Sequence, residues 1–302
     1  MSDSSSLRAV LYALGANTGI FLAKSAAAVV TGSSAMLAEA IHSLADCGNQ
    51  VLLLRGMREA KRPPDPEHPL GYGRVAYFWA FLVAVMLFTL GGIFSIYEGM
   101  HKLHAPEPLA RPWIAIAVLV TGIALEGYSL MVAIGVVRKI AHGRTLWNFF
   151  RTSRNSDLVV ILGEDTAAIA GLVIALVAVV LAMVTGNPLF DALGSIAVGV
   201  LLVIVAWLLA IEIKSLITGQ SAEPHVDAGI RELIASHPDV VEVFNVITLQ
   251  LGGEVLVAAK ARVRAPVPGA RQLVEAINGI EVMIKADFPV VRWVFFEPDI
   301  VD

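Results

Sequence analysis

Two short acid-bearing segments lie inside otherwise apolar stretches of this 302-residue chain: Glu39-Ala-Ile-His42-Ser-Leu-Ala-Asp46 and Gly163-Glu164-Asp165-Thr166. A charge at the centre of a bilayer costs roughly 2.5 kcal/mol or more on insertion scales, so ionisable residues at that depth are rare and count as functional candidates. Histidine beside carboxylates is a ligand set for a divalent metal ion. His42 and Asp46 are i and i+4, share one helix face and can chelate a single ion. Glu164 and Asp165 point about 100° apart on a helix, so one of them faces the same centre squarely, and the spacing leaves open which.

The elements that must position these residues are membrane spans. At 57% hydrophobic and 16% charged, with a mean hydropathy of +0.73, the chain is too apolar for a soluble globule. Six stretches of roughly the 20 residues that cross a bilayer lie at about 9–30, 35–55, 76–99, 113–137, 157–185 and 188–213. Arg55, Arg58, Lys61, Arg62 and Arg74 follow the second, and Arg138, Lys139, Arg144, Arg151 and Arg154 follow the fourth. On the opposite side, Thr31 to Ser34 and Gly186 to Pro188 carry no basic residue, and the connection between the third and fourth stretches has only Lys102 and Arg111. By the positive-inside rule both termini are cytoplasmic, or face the equivalent side of an organelle; a bacterial inner membrane and an organelle membrane both fit. The leader Met1 to Leu7 lacks the basic region and cleavage site of a signal peptide, so the first apolar stretch is expected to remain as a span. The single cysteine, Cys47, is expected to pack in the core.

Depth follows from 1.5 Å per helical residue, counted from the bordering arginines. Asp46 lies about 14 Å and His42 about 20 Å below Arg55, while Glu164 and Asp165 lie about 15 and 17 Å from Arg154, so the two acidic segments are level. Glu126 in the fourth span is about 18 Å deep and Asn17 in the first about 14 Å, which makes both candidates for hydrogen-bonding a ligand. Asp157 shares a face with Glu164 at i+7 but sits about 5 Å from the border, suited to a vestibule. Lys24 and Glu39 flank the tight Thr31 to Ser34 connection almost symmetrically and fit an ion pair across the first hairpin, a structural role.

Each candidate has a plainer reading. A lone buried histidine bonds a backbone carbonyl, a Glu-Asp pair can be an interhelical hydrogen-bonding group, and Glu126 can be a packing group. The level placement of His42, Asp46 and the second acid pair favours a metal. Asp65-Pro-Glu-His68-Pro-Leu-Gly-Tyr-Gly-Arg74, after the second span, reads as a tight ordered loop in which Asp65 and His68 form a possible weak second ion site. The basic run 138–154 reads as a headgroup anchor for the lipid bilayer.

From Gln220 onward 12 acids stand against 7 bases, a net of −5 in a chain whose total is −4, and nothing there suggests nucleic acid. The pattern predicts helices at 225–236 and 270–286 and strands at 240–251, 254–263 and 290–296, with Gly252-Gly253 as a hairpin turn. An α-β-β-α-β order makes a small two-layer α+β domain.

These residues together resemble the cation diffusion facilitator family of divalent-metal transporters. The similarity is carried by Ala23-Lys24, Thr31-Gly32-Ser33-Ser34-Ala35-Met36, His42-Ser43-Leu44-Ala45-Asp46 and the Asp65 to Arg74 loop, with six spans before an α-β-β-α-β tail. The resemblance implies an α-helical membrane protein: a six-span transport domain at 1–216 and a ferredoxin-like cytoplasmic dimerisation domain at 217–302 of a homodimer. It implies a transport site drawn from spans two and five, and efflux of zinc or a related ion in exchange for protons. His42 and Asp46 match the second-span His-x-x-x-Asp ligands of zinc-type members. The fifth span departs: four residues before Asp165 stands Ile161, and before Glu164 Val160, so the usual histidine is missing and the site is richer in oxygen. Tyr72 stands where many relatives carry a third loop histidine, and the tail lacks the histidine set that binds regulatory zinc in some of them.

Carboxylate oxygen moves metal preference from zinc toward manganese or iron, and one histidine with two or three carboxylates permits all three. Ligands must lose protons to bind metal, so protons and metal compete for one site, and alternating access turns that competition into exchange. The ion is cargo rather than a prosthetic group, and no catalytic residue is expected. An intramembrane metalloenzyme would use the same ligands, yet no His-Glu-x-x-His motif is present. A divalent-cation channel would place ligands at the same depth, and a non-transporting regulator would use the acidic tail to bind a partner.

Overall fold

The computed structural model of the protein describes residues 2–31, 34–104, 112–141, 143–264 and 270–301; the side chains at 2–6, 27–28, 30–31 and 34–42 stand outside that description. Among the described residues six long helical stretches fall on the six expected spans: α1 (Ser2–Thr31), α2 (Ser34–Glu59), α3 (Val75–Met86) running through a π-helical turn (Leu87–Ile93) into α4 (Phe94–His104), α5 (Pro112–Ile140), α7 (Ser156–Thr185) and α8 (Leu189–Thr218). The stretches Val75–His104, Pro112–Ile140, Ser156–Thr185 and Leu189–Thr218 are long and apolar enough to cross a membrane. α1 and α2 are of similar length, 30 and 26 residues, and α2 is the helix that carries His42 and Asp46. A short helix that the hydropathy pattern does not mark, α6 (Leu146–Thr152), lies in the basic connection between α5 and α7.

Local signals explain the boundaries. Gly186, at φ 67°, ends α7 in the left-handed conformation that glycine tolerates. One residue on, the Asn187 side-chain oxygen accepts the Leu189 N–H at 3.0 Å and Pro188 fills the first helical position, so α8 starts with a capped, pre-set turn. Asp157 and Asp191 sit in the first turns of α7 and α8, where negative charge suits the helix dipole. Lys102 Nζ lies 3.1 Å from Asp191 Oδ2 and ties α4 to α8.

The chain forms two compact units. The first comprises residues 1–59, 76–151 and 156–214; the second comprises 60–75, 152–155 and 215–302. In the first, α1 packs on α2 and α5, and α5 on α7. α4 and α8 approach through glycines: a Cβ on Gly99 would stand 2.8 Å from the carbonyl oxygen of Ala192. Small residues allow such close backbone approach where lipid offers no hydrophobic drive for association.

The second unit contains α9 (Pro224–Ser236), β1 (Val240–Leu251), β2 (Glu254–Val263), α10 (Ala270–Asp287) and β3 (Val291–Pro298), the α-β-β-α-β order expected. Its sheet order is β1-β2-β3, antiparallel then parallel. Leu251 pairs with Glu254, which leaves Gly252-Gly253 as the two-residue turn. Alternating side chains of β1 and β2 and the apolar faces of both helices bury Ile230, Ile234, Val246, Val257, Ala259, Ile280 and Ile284 in one core. Within this unit the 60–75 and 152–155 segments bond the start of the tail: Arg74 donates to the Ile217 carbonyl, and Arg154 Nε donates to the Ser221 carbonyl at 2.8 Å.

Candidate functional site

The acids singled out in the membrane helices come together. Glu126 on α5 and Glu164 and Asp165 on α7 are buried, and Asp46 on α2 is partly buried. Each of the four carboxyl groups lies within electrostatic range of the other three, and Lys24 acts on Glu126 from α1. Asp46 and Glu126 stand near the middle of α2 and α5, and Glu164 and Asp165 stand about a third of the way along α7. Four carboxyl groups confined at membrane depth repel one another unless protons or a cation lie among them.

The hydrogen bonds divide the two α7 acids. Asn49 Nδ2 donates to Glu164 Oε1 at 3.0 Å, and Gln50 Nε2 donates to Oε2 at 3.0 Å, both from α2. Asp165 Oδ2 instead accepts from Ser129 Oγ on α5 at 2.9 Å. Asn49, Gln50 and Ser129 are not among the residues that sequence reasoning singles out. The signal is nonetheless present: Asn49 and Gln50 follow Asp46 by three and four residues, and Ser129 follows Glu126 by three, the spacings that share a helix face.

His42 lies one turn before Asp46 in α2; its side chain, like that of Glu39, is outside the described residues, so the expected Lys24–Glu39 pair falls there too. Lys24 itself is buried. Among the described residues no three His, Cys, Asp or Glu side chains are placed to hold an ion. Asn17 is buried on α1, and its neighbour Thr18 places Oγ1 3.8 Å from Cys47 Sγ. Asp157, partly buried in the first turn of α7, is seven residues before Glu164.

The loop candidates Asp65 and His68 are adjacent, with His68 Nδ1 3.4 Å from Asp65 Oδ1. That oxygen already accepts the backbone N–H groups of Glu67 at 3.0 Å and His68 at 2.7 Å, and Tyr72 donates its hydroxyl to Oδ2 at 2.5 Å. The Tyr72 hydroxyl, helped by the His68 N–H, holds the Asp65 carboxyl below its ordinary value. The His68 and Tyr72 rings pack 4.3 Å apart, and Arg62 lies 4.3 Å over the Tyr72 ring. Tyrosine at this position closes the loop on its aspartate.

A helical unit long and apolar enough to span a membrane, with an acid cluster drawn from three helices, thus precedes a small α+β unit. Residues 10–217 match the family described as the cation efflux transmembrane domain, and the chain belongs to this family, the cation diffusion facilitators. It is 37% identical over 226 residues to the proton-coupled zinc antiporter SLC30A9, mitochondrial, of Mus musculus, covering 74% of this chain and 40% of that protein. It is 38% identical over 208 residues to metal tolerance protein C4 of Arabidopsis thaliana, covering 68% and 46%. Zinc transporter ZitB of Escherichia coli K12 is 25% identical over 273 residues, covering 88% and 80%. The chain thus spans less than half the length of the first two relatives.

Proposed function

We propose that the protein exports divalent metal ions, zinc foremost, from the cytoplasm in exchange for protons. One observation carries this reading: four carboxyl groups from α2, α5 and α7 lie within electrostatic range of one another at membrane depth. The ion is held between His42 and Asp46 of α2 and a carboxylate of α7, with Ser129 orienting Asp165 and with Glu126 beside the site. Metal needs these ligands deprotonated and protons need them free of metal, so each loads the site only when the other has left. Alternate exposure of the site to the two membrane faces then couples the two fluxes. The zinc transporters among the relatives support the choice of metal. The excess of oxygen over nitrogen donors extends the candidates to manganese and iron.

The tail is the dimerisation part of a homodimer, with both termini on the cytoplasmic side. Asp65 and His68 bind metal weakly at most, because Tyr72 and two backbone N–H groups occupy the Asp65 oxygens.

The test is reconstitution of the full chain into vesicles bearing a pH gradient, with Zn, Mn, Fe, Co and Cd supplied in turn. Saturable metal uptake that reverses with the proton gradient supports the exchange. Metal flux indifferent to that gradient replaces it with a channel, and absence of flux for every ion rejects transport.

A further inference from the structure

Both oxygens of Glu164 accept hydrogen bonds from one helix, α2, whereas the neighbouring Asp165 is bonded from α5. Glu164, Asn49 and Gln50 are 6%, 3% and 0% exposed, so this contact is sealed from solvent. The carbonyl oxygens of the same amides, Asn49 Oδ1 and Gln50 Oε1, are buried without a hydrogen-bond partner. Buried acceptors normally find a donor. Here both amides are turned to serve Glu164 and leave their own acceptors bare.

The geometry points to Glu164 as a positioning residue, clasped by Asn49 and Gln50, that registers α7 against α2 and leaves Asp165 as the metal-binding carboxylate of α7. This rests on the transport reading above and names the ligand within it. Asn49 and Gln50 stand one turn from Asp46 on α2, and Glu164 directly precedes Asp165 on α7. The clasp therefore fixes the separation between a ligand on one helix and its counterpart on the other. Each Glu164 oxygen is aimed at an amide nitrogen, while among the described residues Asp165 has one hydrogen bond, on Oδ2. His42, Asp46 and Asp165 then form a set of three protein ligands. Three ligands leave a fourth zinc position open, as exchange of a bound ion requires.

The conservative variant separates a clasp from a ligand. Glutamine in place of Glu164 offers one oxygen and one amide; if either Asn49 or Gln50 turns over, its bare carbonyl accepts from that amide and two bonds survive. Zinc uptake by the full chain in pH-gradient vesicles is compared for the native protein, Glu164→Ala, Glu164→Gln, Asp165→Asn and Gln50→Ala. The clasp predicts that Glu164→Ala loses uptake and that Glu164→Gln restores it, with a KM within about threefold of native, under the roughly 10–100-fold loss of metal affinity typical when a group supporting the ligands is removed. Asp165→Asn stays at the level of protein-free vesicles. Gln50→Ala, missing one prong, raises KM more than it lowers the maximal rate.

A folded Glu164→Gln protein as inactive as Asp165→Asn overturns the proposal. So does uptake by Asp165→Asn that Glu164→Gln lacks. If the native chain carries no metal, the transport reading has failed and the clasp is judged by melting in detergent. Melting lowered in Glu164→Ala and recovered in Glu164→Gln then supports it, and equal melting of all three overturns it.

Discussion

Gly73 and Gly252 meet backbone against backbone: a Cβ on Gly73 would stand 2.2 Å from the Leu251 carbonyl oxygen, and one on Gly252 2.4 Å from the Gly73 carbonyl oxygen. Gly252 also holds φ at 69°, which side chains other than glycine rarely adopt. The loop that follows α2 therefore seats on the β1–β2 turn through a surface with no side chains, and Arg74 pins it to the Ile217 carbonyl.

Gly252→Ala should unseat this loop. The left-handed conformation alone costs an alanine roughly 1–2 kcal/mol, before the clash with Gly73 is counted. The measurement is trypsin digestion in detergent, where cleavage after Lys61 or Arg74 should be markedly faster in the variant. Equal digestion rates would show that the loop does not depend on the contact.

Tyr72→Phe should move the titration of Asp65. The Tyr72 hydroxyl is the largest influence holding that carboxyl below its ordinary value, and the His68 backbone N–H adds to it. A carboxyl depressed in the folded state contributes stability that is present above its unfolded pKa, about 3.9, and is lost as pH falls through the lower folded value. Removing the hydroxyl shifts the folded value upward and narrows that acid-side window. A carboxyl NMR titration of Asp65 reads this directly, and an unmoved Asp65 in Tyr72→Phe contradicts it.

Gly199→Val tests the α4–α8 contact. A Cβ there would stand 2.7 Å from the Ile96 nitrogen and 2.8 Å from the Gly92 carbonyl oxygen, both backbone atoms that cannot turn aside. Overpacking of this kind costs typically about 1–3 kcal/mol. The melting temperature in detergent should fall clearly, while Gly127→Ala, at a site with nothing within 4 Å, should leave it where it was.

The spans, the tail and the four acids were legible in the sequence because each leaves a pattern. Hydropathy marks a helix such as Ser156–Thr185, alternation and Gly252-Gly253 mark the hairpin, and depth counted along helices places Asp46 level with Glu164. What was not legible depends on tertiary contact. Asn49, Gln50 and Ser129 share helix faces with Asp46 and Glu126, but which acid each one bonds is fixed only by the packing of α2 and α5 against α7. The π-helical turn at Leu87–Ile93 lies in a uniformly apolar run whose composition is the same for either helix type. The place of residues 60–75 with the tail follows from a glycine-to-glycine approach between segments far apart in the chain, which no local spacing encodes.

The strongest demand falls on the His42 and Asp46 pair of α2. If protons and metal share these ligands, the zinc KM of the native protein should rise as pH falls on the face from which metal binds, because protonated ligands cannot coordinate. Histidine is the side chain that exchanges its proton most readily near neutral pH in water, so His42 is the ligand to remove first. His42→Ala should lose both metal uptake and its pH dependence, and Asp46→Ala should fall to the level of protein-free vesicles. Vesicles with a zinc-sensitive dye inside report the first, and a pH-sensitive dye reports the counter-flux. Normal proton-coupled uptake by His42→Ala would remove the histidine from the transport site and leave exchange to the carboxylates alone.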